Sequence, residues 1–367
     1  MGNTTIADKI TNKFGVPSAT TIMGALRNVA DGKQSGDSIA EIIDNIEAGG
    51  GSENEDQLIT GTIKNYYNDR VSSIHEYAFS GQYKLETVNF PNVISIPYMA
   101  FARNRALTTA IFPKVEIIGN DAFSYCSALT NLSFPNAITI DTTAFYYCSN
   151  IINCDFPNVL NIRYSAFYGC SNLQSVSFPK ATEIAELAFG NCSKLYSVDF
   201  PNVLSIGRQA FRSCSHLEIA NFSKVSEIGS EAFANCIKLA NISFPAASII
   251  YASAFQSCYS LYMLDLPKAK SIYGSAFKYC YNLQTLYLSN ISTISSSAFY
   301  GCSKLMSIYI LGSSVPRLGN GQVFTSTPLW YSSYTGAFGS IYVPKSLFSS
   351  YISTTYWSSF SERFVSM

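Results

Sequence analysis

The chain has 367 residues, enough for two ordinary domains or one long array. Charged residues make up only 13% and the formal net charge is zero, so no global field steers the chain to nucleic acid or an acidic membrane. No apolar run approaches the roughly 20 residues that a membrane span needs, which excludes helical membrane insertion.

In chain order, residues 1–58 carry four Lys/Arg against nine Asp/Glu, a net of −5 that leaves +5 for the rest. The start "MGNTTIADKITNKFG" has no basic segment followed by an apolar one, so it predicts no signal peptide in this chain. Ile6 breaks the myristoylation pattern. Ser38-Ile39-Ala40-Glu41 is a capping box, and Ile39, Ile42, Ile43 and Ile46 then share one helical face. Two shorter helices are predicted around 6–14 and 20–30. Residues 1–48 thus read as a small acidic helical module, either a cap or leader or an attachment and oligomerisation segment. "GGGSENEDQ", residues 49–57, is a flexible polar linker. Residues 58–73 are predicted to form a cap hairpin.

From residue 74 to 311 one sentence is written again and again. An Ala-Phe pair recurs with Phe at 79, 101, 123, 145, 167, 189, 211, 233, 255, 277 and 299, eleven copies spaced by 22 residues. In "LQSVSF", Val176 and Phe178 alternate with Ser175 and Ser177, the period of a strand with one buried face. Pro179 ends the strand. Ile184 re-enters the core, and Ala188-Phe189 sets a large ring beside a small side chain. One such unit cannot bury its apolar side alone, but stacked units share a continuous core. The periodicity therefore predicts a parallel solenoid of eleven 22-residue repeats.

Nine of the ten cysteines, at 126, 148, 170, 192, 214, 236, 258, 280 and 302, keep the same spacing. Gln82 and Asn104 fill that slot in the first two copies, and Cys154 instead replaces a strand Val. Stacking places the nine in one column with parallel side chains. A line of thiols suits neither tetrahedral zinc nor pairwise bridging, so the reading is buried free thiols and no metal.

Other chemistry is sparse. His75 and His216 are the only histidines, 141 residues apart, too far along the stack to share a site. No phosphate-binding loop, nucleophile elbow or zinc-protease motif appears, and no cofactor is implied. Asp155, Asp199 and Asp265 share an outward strand slot. The first two, two coils apart at roughly 9.5 Å, match the upper edge of an inverting glycosidase pair. An open surface offers nothing to raise one pKa, so a solvated or binding face is the stronger reading.

The variable positions name the candidate face. The outward slot carries Asn89, Ser133, Asp155, Ser177, Asp199, Asn221 and Asp265 and then turns aromatic at Tyr287 and Tyr309, with Tyr262 nearby. Amphipathic rings closing a short polar face suit contact with a protein or a carbohydrate. A second aromatic set, Tyr125, Tyr147, Tyr168, Tyr279 and Tyr300, belongs to the turns beside the cysteines. Residues 312–367 read as a C-terminal cap that keeps a strand-like "SIYVP" at 340–344, followed by an aromatic-rich helical stretch, with Tyr351, Tyr356, Trp357 and Phe360 covering the open core.

The unit Ile-x-x-x-Ala-Phe-x-x-Cys-x-x-Leu-x-x-Val-x-Phe-Pro-x-Val resembles the BspA-like leucine-rich repeats of bacterial surface proteins over about residues 74–311. It departs from ordinary leucine-rich repeats, which carry Asn or Cys after the strand where this chain has Val93, Ala137 or Val203. The resemblance implies a right-handed α/β leucine-rich-repeat solenoid whose strands line one face, without enzymatic activity, adhering outside the cell to a host or microbial surface protein or glycan. A phage tail receptor-binding protein is the alternative reading, and an enzyme of unknown type the second.

Overall fold

The computed structural model describes residues 62–240, 242–330 and 338–367. The helical module expected over 1–48, the linker over 49–57 and the first residues of the expected 58–73 hairpin lie outside the described residues. The chain divides into two compact units, Met1–Pro157 and Asn158–Met367. The described residues of each form a stretch of parallel β-solenoid with little helix.

In the first unit, strands Asn65–Tyr67, Thr87–Asn89 and Thr109–Ile111 form one parallel sheet, and Asn131–Ser133 pairs in parallel with Asn153–Asp155. Every register is offset by one repeat, as in Asn65↔Thr87 and Thr87↔Thr109. Asn65–Tyr67 therefore stacks in parallel on Thr87–Asn89 as one more coil. Tyr66 takes the core place of a strand Val, with its ring 5.0 Å from Phe79 and 5.4 Å from Phe90. An aromatic ring there closes the Phe columns where no preceding Ala-Phe turn supplies one.

In the second unit, Ser175–Ser177, Ser197–Asp199 and Ile219–Asn221 pair in sequence. Met263–Leu266, Thr285–Leu288 and Ser307–Ile310 follow in the same register. The stacking then continues into the region expected to be a cap. Ser340–Val343 pairs in parallel with Ser307–Ile310, and Phe364–Ser366 with Ser340–Val343. Phe324 stacks on Phe299 at 5.6 Å, extending the Phe column beyond its eleven-fold period. Helix α1, Phe348–Ser353, and a 3-10 turn over Trp357–Arg363 then lay Tyr351, Trp357 and Phe360 over the last coil. The Trp357 indole N–H donates to the Pro316 carbonyl at 2.6 Å. Tyr356, expected among the covering rings, is 42% exposed, and Phe364 is buried instead.

From Ser95–Ile96 to Arg317–Leu318 the coils also carry a second, two-residue strand that the sequence reading did not foresee. Glu183–Ile184, for example, pairs with both Asn161–Ile162 and Ser205–Ile206. The 22-residue offset, as in Glu183↔Ser205, brings each such segment beside its own copy, so their backbone donors meet acceptors.

The Ala-Phe turn satisfies its backbone by alternation. Leu187, Phe189 and Asn191 donate to the next coil, to the carbonyls of Arg208, Ala210 and Arg212, at 2.8–2.9 Å. Gly190 and Cys192 donate within the turn, to the carbonyls of Leu187 and Phe189. The device that makes this alternation fit is a left-handed residue on each side of the Phe. In all eleven copies the residues two before and two after it have positive φ, for instance Leu187 at 59° and Asn191 at 59°. Only Gly81, Gly169 and Gly301 among them are glycines, so the strain is accepted and the stack holds it.

The core of each unit contains two Phe columns packed among buried Leu, Ile, Val, Ala and Cys. Within each, rings stack nearly parallel: Phe189–Phe211 at 5.4 Å and 4°, Phe178–Phe200 at 5.6 Å and 6°. Between columns they tilt, Phe178–Phe189 at 6.0 Å and 53°. Offset stacks and tilted pairs are both favoured ring geometries.

The ten cysteines are free thiols, nine of them buried and Cys154 half-buried. The column thiols have a structural partner. Cys214 Sγ donates to the Phe189 carbonyl at 3.1 Å, and Cys236, Cys258, Cys280 and Cys302 repeat this bond one coil on each time. A small apolar side chain with one weak donor fits a dry slot that faces a carbonyl. Burial is the main reason the thiols of Cys214, Cys236, Cys258 and Cys280 are pushed well above their ordinary value.

Candidate functional site

The outward slot of the longer strands carries the variable residues, as the alternation predicts. In the first unit Asn89 lies in register with Ile111, and Ser133 with Asp155. Neighbouring polar residues join along this ladder, with Thr87 donating to Asn65 Oδ1 at 2.6 Å and Asn153 to Asn131 Oδ1 at 3.4 Å. Burial first, and then the Asp155 charge, pushes the Cys154 thiol up to about 12.

In the second unit Ser177, Asp199 and Asn221 are brought together. Asn221 Nδ2 donates to Asp199 Oδ1 at 2.7 Å, and Ser177 Oγ donates to Asp199 Oδ2 at 3.4 Å. Both oxygens of Asp199 are thus engaged by neutral donors of the adjoining coils, which fixes its side chain within the ladder. Asp265 stands in register with Tyr287 and is exposed.

Beyond Asp265 the slot becomes a ring stack. Tyr287 and Tyr309 lie 4.7 Å apart at 12°, and Tyr309 and Tyr342 lie 4.4 Å apart at 6°. All three are half-buried on one sheet, above buried Leu286, Ile308 and Ile341. Tyr309 is held between the rings of Tyr287 and Tyr342. Burial, and then the adjoining tyrosines, raise the Tyr309 hydroxyl above its ordinary value. Tyr262 is outside this stack, one residue before Met263–Leu266, and is 50% exposed.

Sequence reasoning missed Tyr342. An insertion between the two strands breaks the 22-residue period, so a count of fixed spacing stops at Tyr309. The signal was present as a repeated tripeptide, Ser307-Ile308-Tyr309 and Ser340-Ile341-Tyr342. A second missed ladder follows the strands, where Asn and Lys alternate. Lys180 donates to Asn158 Oδ1 at 2.6 Å, Asn202 to the Pro179 carbonyl at 2.7 Å, and Lys224 to Asn202 Oδ1 at 2.7 Å. These residues hold the strand exits together.

The second aromatic set divides. In the first unit Tyr125 and Tyr147 stack at 5.7 Å and 2°. In the second unit Tyr168 accepts a bond from Asn191 Nδ2 at 2.6 Å, and Tyr279 and Tyr300 meet edge to face at 5.7 Å with the Lys278 ammonium over both rings. Among the described residues no group of three or more His, Cys, Asp or Glu is placed to hold a metal ion, and no helix is long and apolar enough to cross a membrane.

The BspA type Leucine rich repeat region matches this chain in six copies, over residues 62–158, 138–261 and 205–330. A leucine-rich repeat protein from Bacteroides ovatus is similar in structure, with 22% identity, 83% of this chain and 84% of that one covered, and a TM-score of 0.55. A leucine rich cell surface protein from Faecalibacterium prausnitzii matches at 22% identity over 63% of this chain and 79% of its own, with a TM-score of 0.34. The Leucine Rich Repeat protein of T. pallidum matches at 28% identity over 41% and 77%, with a TM-score of 0.37. Among curated proteins none matches. With the family's repeat matched across most of its length and the Ala-Phe-x-x-Cys turns stacked coil on coil, the chain belongs to the BspA type leucine-rich repeat family.

Proposed function

We propose that this is a non-enzymatic binding protein of the bacterial cell surface, and that the Tyr287–Tyr309–Tyr342 stack is its principal contact for a protein partner. The observation that carries this reading is the stack itself, three tyrosines held 4.4–4.7 Å apart on an outward slot. Tyr is enriched at protein interfaces because it brings apolar area and a hydroxyl at low entropy cost. Mutual stacking lowers that cost further, since the rings are ordered before any partner arrives. The polar ladder of Ser177, Asp199 and Asn221 supplies a rim of fixed donors and acceptors. Asp199 is held within that ladder, and no observation favours the glycosidase reading or a phage tail component. Residues 1–48 are the proposed attachment segment.

The test is binding of the full chain to an array of host matrix and bacterial surface proteins, run beside the triple variant Tyr287→Thr, Tyr309→Thr, Tyr342→Thr. A specific protein ligand whose affinity falls at least about 100-fold in the triple variant, with the fold intact, is the expected result. Equal binding by both proteins would remove the stack from the site.

A further inference from the structure

Away from the tyrosine stack, the second unit has a surface depression of about 530 Å³ where three successive coils turn into their longer strands. Its lining is Gln174, Ser175, Lys194, Tyr196, Ser197 and His216. The volume falls within the roughly 300–1,000 Å³ of small-ligand clefts. The lining holds one ammonium, an imidazole and neutral polar groups, and no carboxylate. Among the described residues Lys194 has no ion-pair partner, and the nearby Glu218 is engaged by Lys238 at 3.6 Å. His216 Nδ1 lies 2.8 Å from the Ser193 carbonyl oxygen. That oxygen can only accept, so Nδ1 carries a proton, and in the neutral imidazole with this tautomer Nε2 is the acceptor. Tyr196 is 45% exposed and offers a ring edge and face.

We propose that this depression is a subsite for one acidic sugar residue, a pyranose bearing a carboxylate such as a uronate or a sialate. Each group of the lining has a counterpart in that ligand. The Lys194 ammonium meets the carboxylate in a charge-assisted bond. The Tyr196 ring packs against the apolar face of the pyranose. Gln174, Ser175 and Ser197 donate to and accept from ring hydroxyls, and His216 Nε2 accepts from one of them. A bare anion would use the cation and leave the ring and the amide idle, while a neutral sugar would leave Lys194 desolvated without a partner. The inference does not rest on the tyrosine stack, because none of its three rings lines the depression.

The test titrates the full chain with methyl glucuronide, the methyl glycoside of N-acetylneuraminic acid, methyl glucoside and inorganic phosphate, read by saturation-transfer NMR and calorimetry. At least one acidic sugar is expected to bind at least tenfold more tightly than both methyl glucoside and phosphate. Lys194→Gln should weaken that sugar about tenfold, and Tyr196→Ser should remove saturation transfer to its ring protons. Both residues are exposed, so both variants should keep the parent melting temperature, and Lys194→Ala serves as a second charge deletion. Tyr309→Thr should leave sugar affinity unchanged. No binding, equal binding of glucoside or phosphate, indifference to both Lys194 variants, or loss of sugar binding in Tyr309→Thr would each overturn the proposal. None of these outcomes decides whether the tyrosine stack binds protein.

Discussion

The Phe column and the Tyr stack of the second unit use one geometry for two ends. Phe189, Phe211 and Phe233 stack at 5.3–5.4 Å within 8° of parallel and are fully buried. Tyr287, Tyr309 and Tyr342 stack at 4.4–4.7 Å within 12° and are half-buried. In both, the repeat forces identical side chains into contact one coil apart. What differs is the solvent. Rings without a polar atom, closed off from water, contribute the free energy of their burial to stability. Rings with a hydroxyl at the surface retain apolar area that a partner can still cover. Stacking alone is therefore no mark of function, and the proposed role of the tyrosines rests on the apolar area they leave at the surface.

That contrast can be broken at graded strength. The largest effect is expected on the dry side, where Phe211→Ala should cost about 3–5 kcal/mol of unfolding free energy, because both stacked neighbours lose their contact and the stack cannot close the void. Chemical denaturation measures it. Next comes Gly207→Ala. Its new Cβ would sit 2.6 Å from the Ala185 carbonyl carbon and the Glu186 nitrogen, both backbone atoms of the coil before. The coils must part, at about 1–3 kcal/mol by the same assay.

A third test concerns the thiols that line the dry side. Unfolded thiols begin to ionise near their ordinary value of 9.0, whereas Cys214, Cys236, Cys258 and Cys280 in the fold stay protonated well above it. Above that pH the unfolded state binds fewer protons than the fold, so stability is full below about pH 9 and falls as pH rises, by about 1.4 kcal/mol per thiol per pH unit. Urea midpoints between pH 8 and 10.5 should show this decline, and Cys236→Ala should lessen its slope by one thiol. The smallest effect has the opposite sign. Ser275 has φ 60°, which costs an L residue about 1–2 kcal/mol, while glycine loses about 0.5–1 kcal/mol of entropy there. Ser275→Gly should raise stability by roughly 0.5 kcal/mol, visible as a small rise in melting temperature.

How much of this was legible beforehand divides along the same line. The 22-residue period gave the parallel coils, the buried Phe, Leu, Val and Ile, and the thiol column, because a strict period leaves one way to stack. It gave the outward slot through Tyr309 for the same reason. It did not give the two-residue strands, since Ser-Ile is too short to show an alternation. The left-handed pairs flanking each Phe were hidden because Leu187, Gln209 or Tyr279 carry no glycine signature. Tyr342, the parallel strand Asn65–Tyr67 and the continuation to Phe364–Ser366 were missed where the period is interrupted or its consensus letters change. The depression lined by Gln174, Lys194, Tyr196 and His216 joins three coils at positions that vary from copy to copy, so no single repeat announces it.

The most direct measurement pairs two readouts on two variants. Once the protein ligand is in hand, melting temperature and ligand affinity are measured for Phe211→Leu and for Tyr309→Thr. The account predicts that Phe211→Leu lowers the melting temperature by several degrees and leaves the affinity of the folded protein unchanged, while Tyr309→Thr weakens binding at least about tenfold with a much smaller thermal shift. If Tyr309→Thr lowers stability as Phe211→Leu does and leaves affinity intact, the tyrosine stack is core exposed to water and the account of its role is wrong.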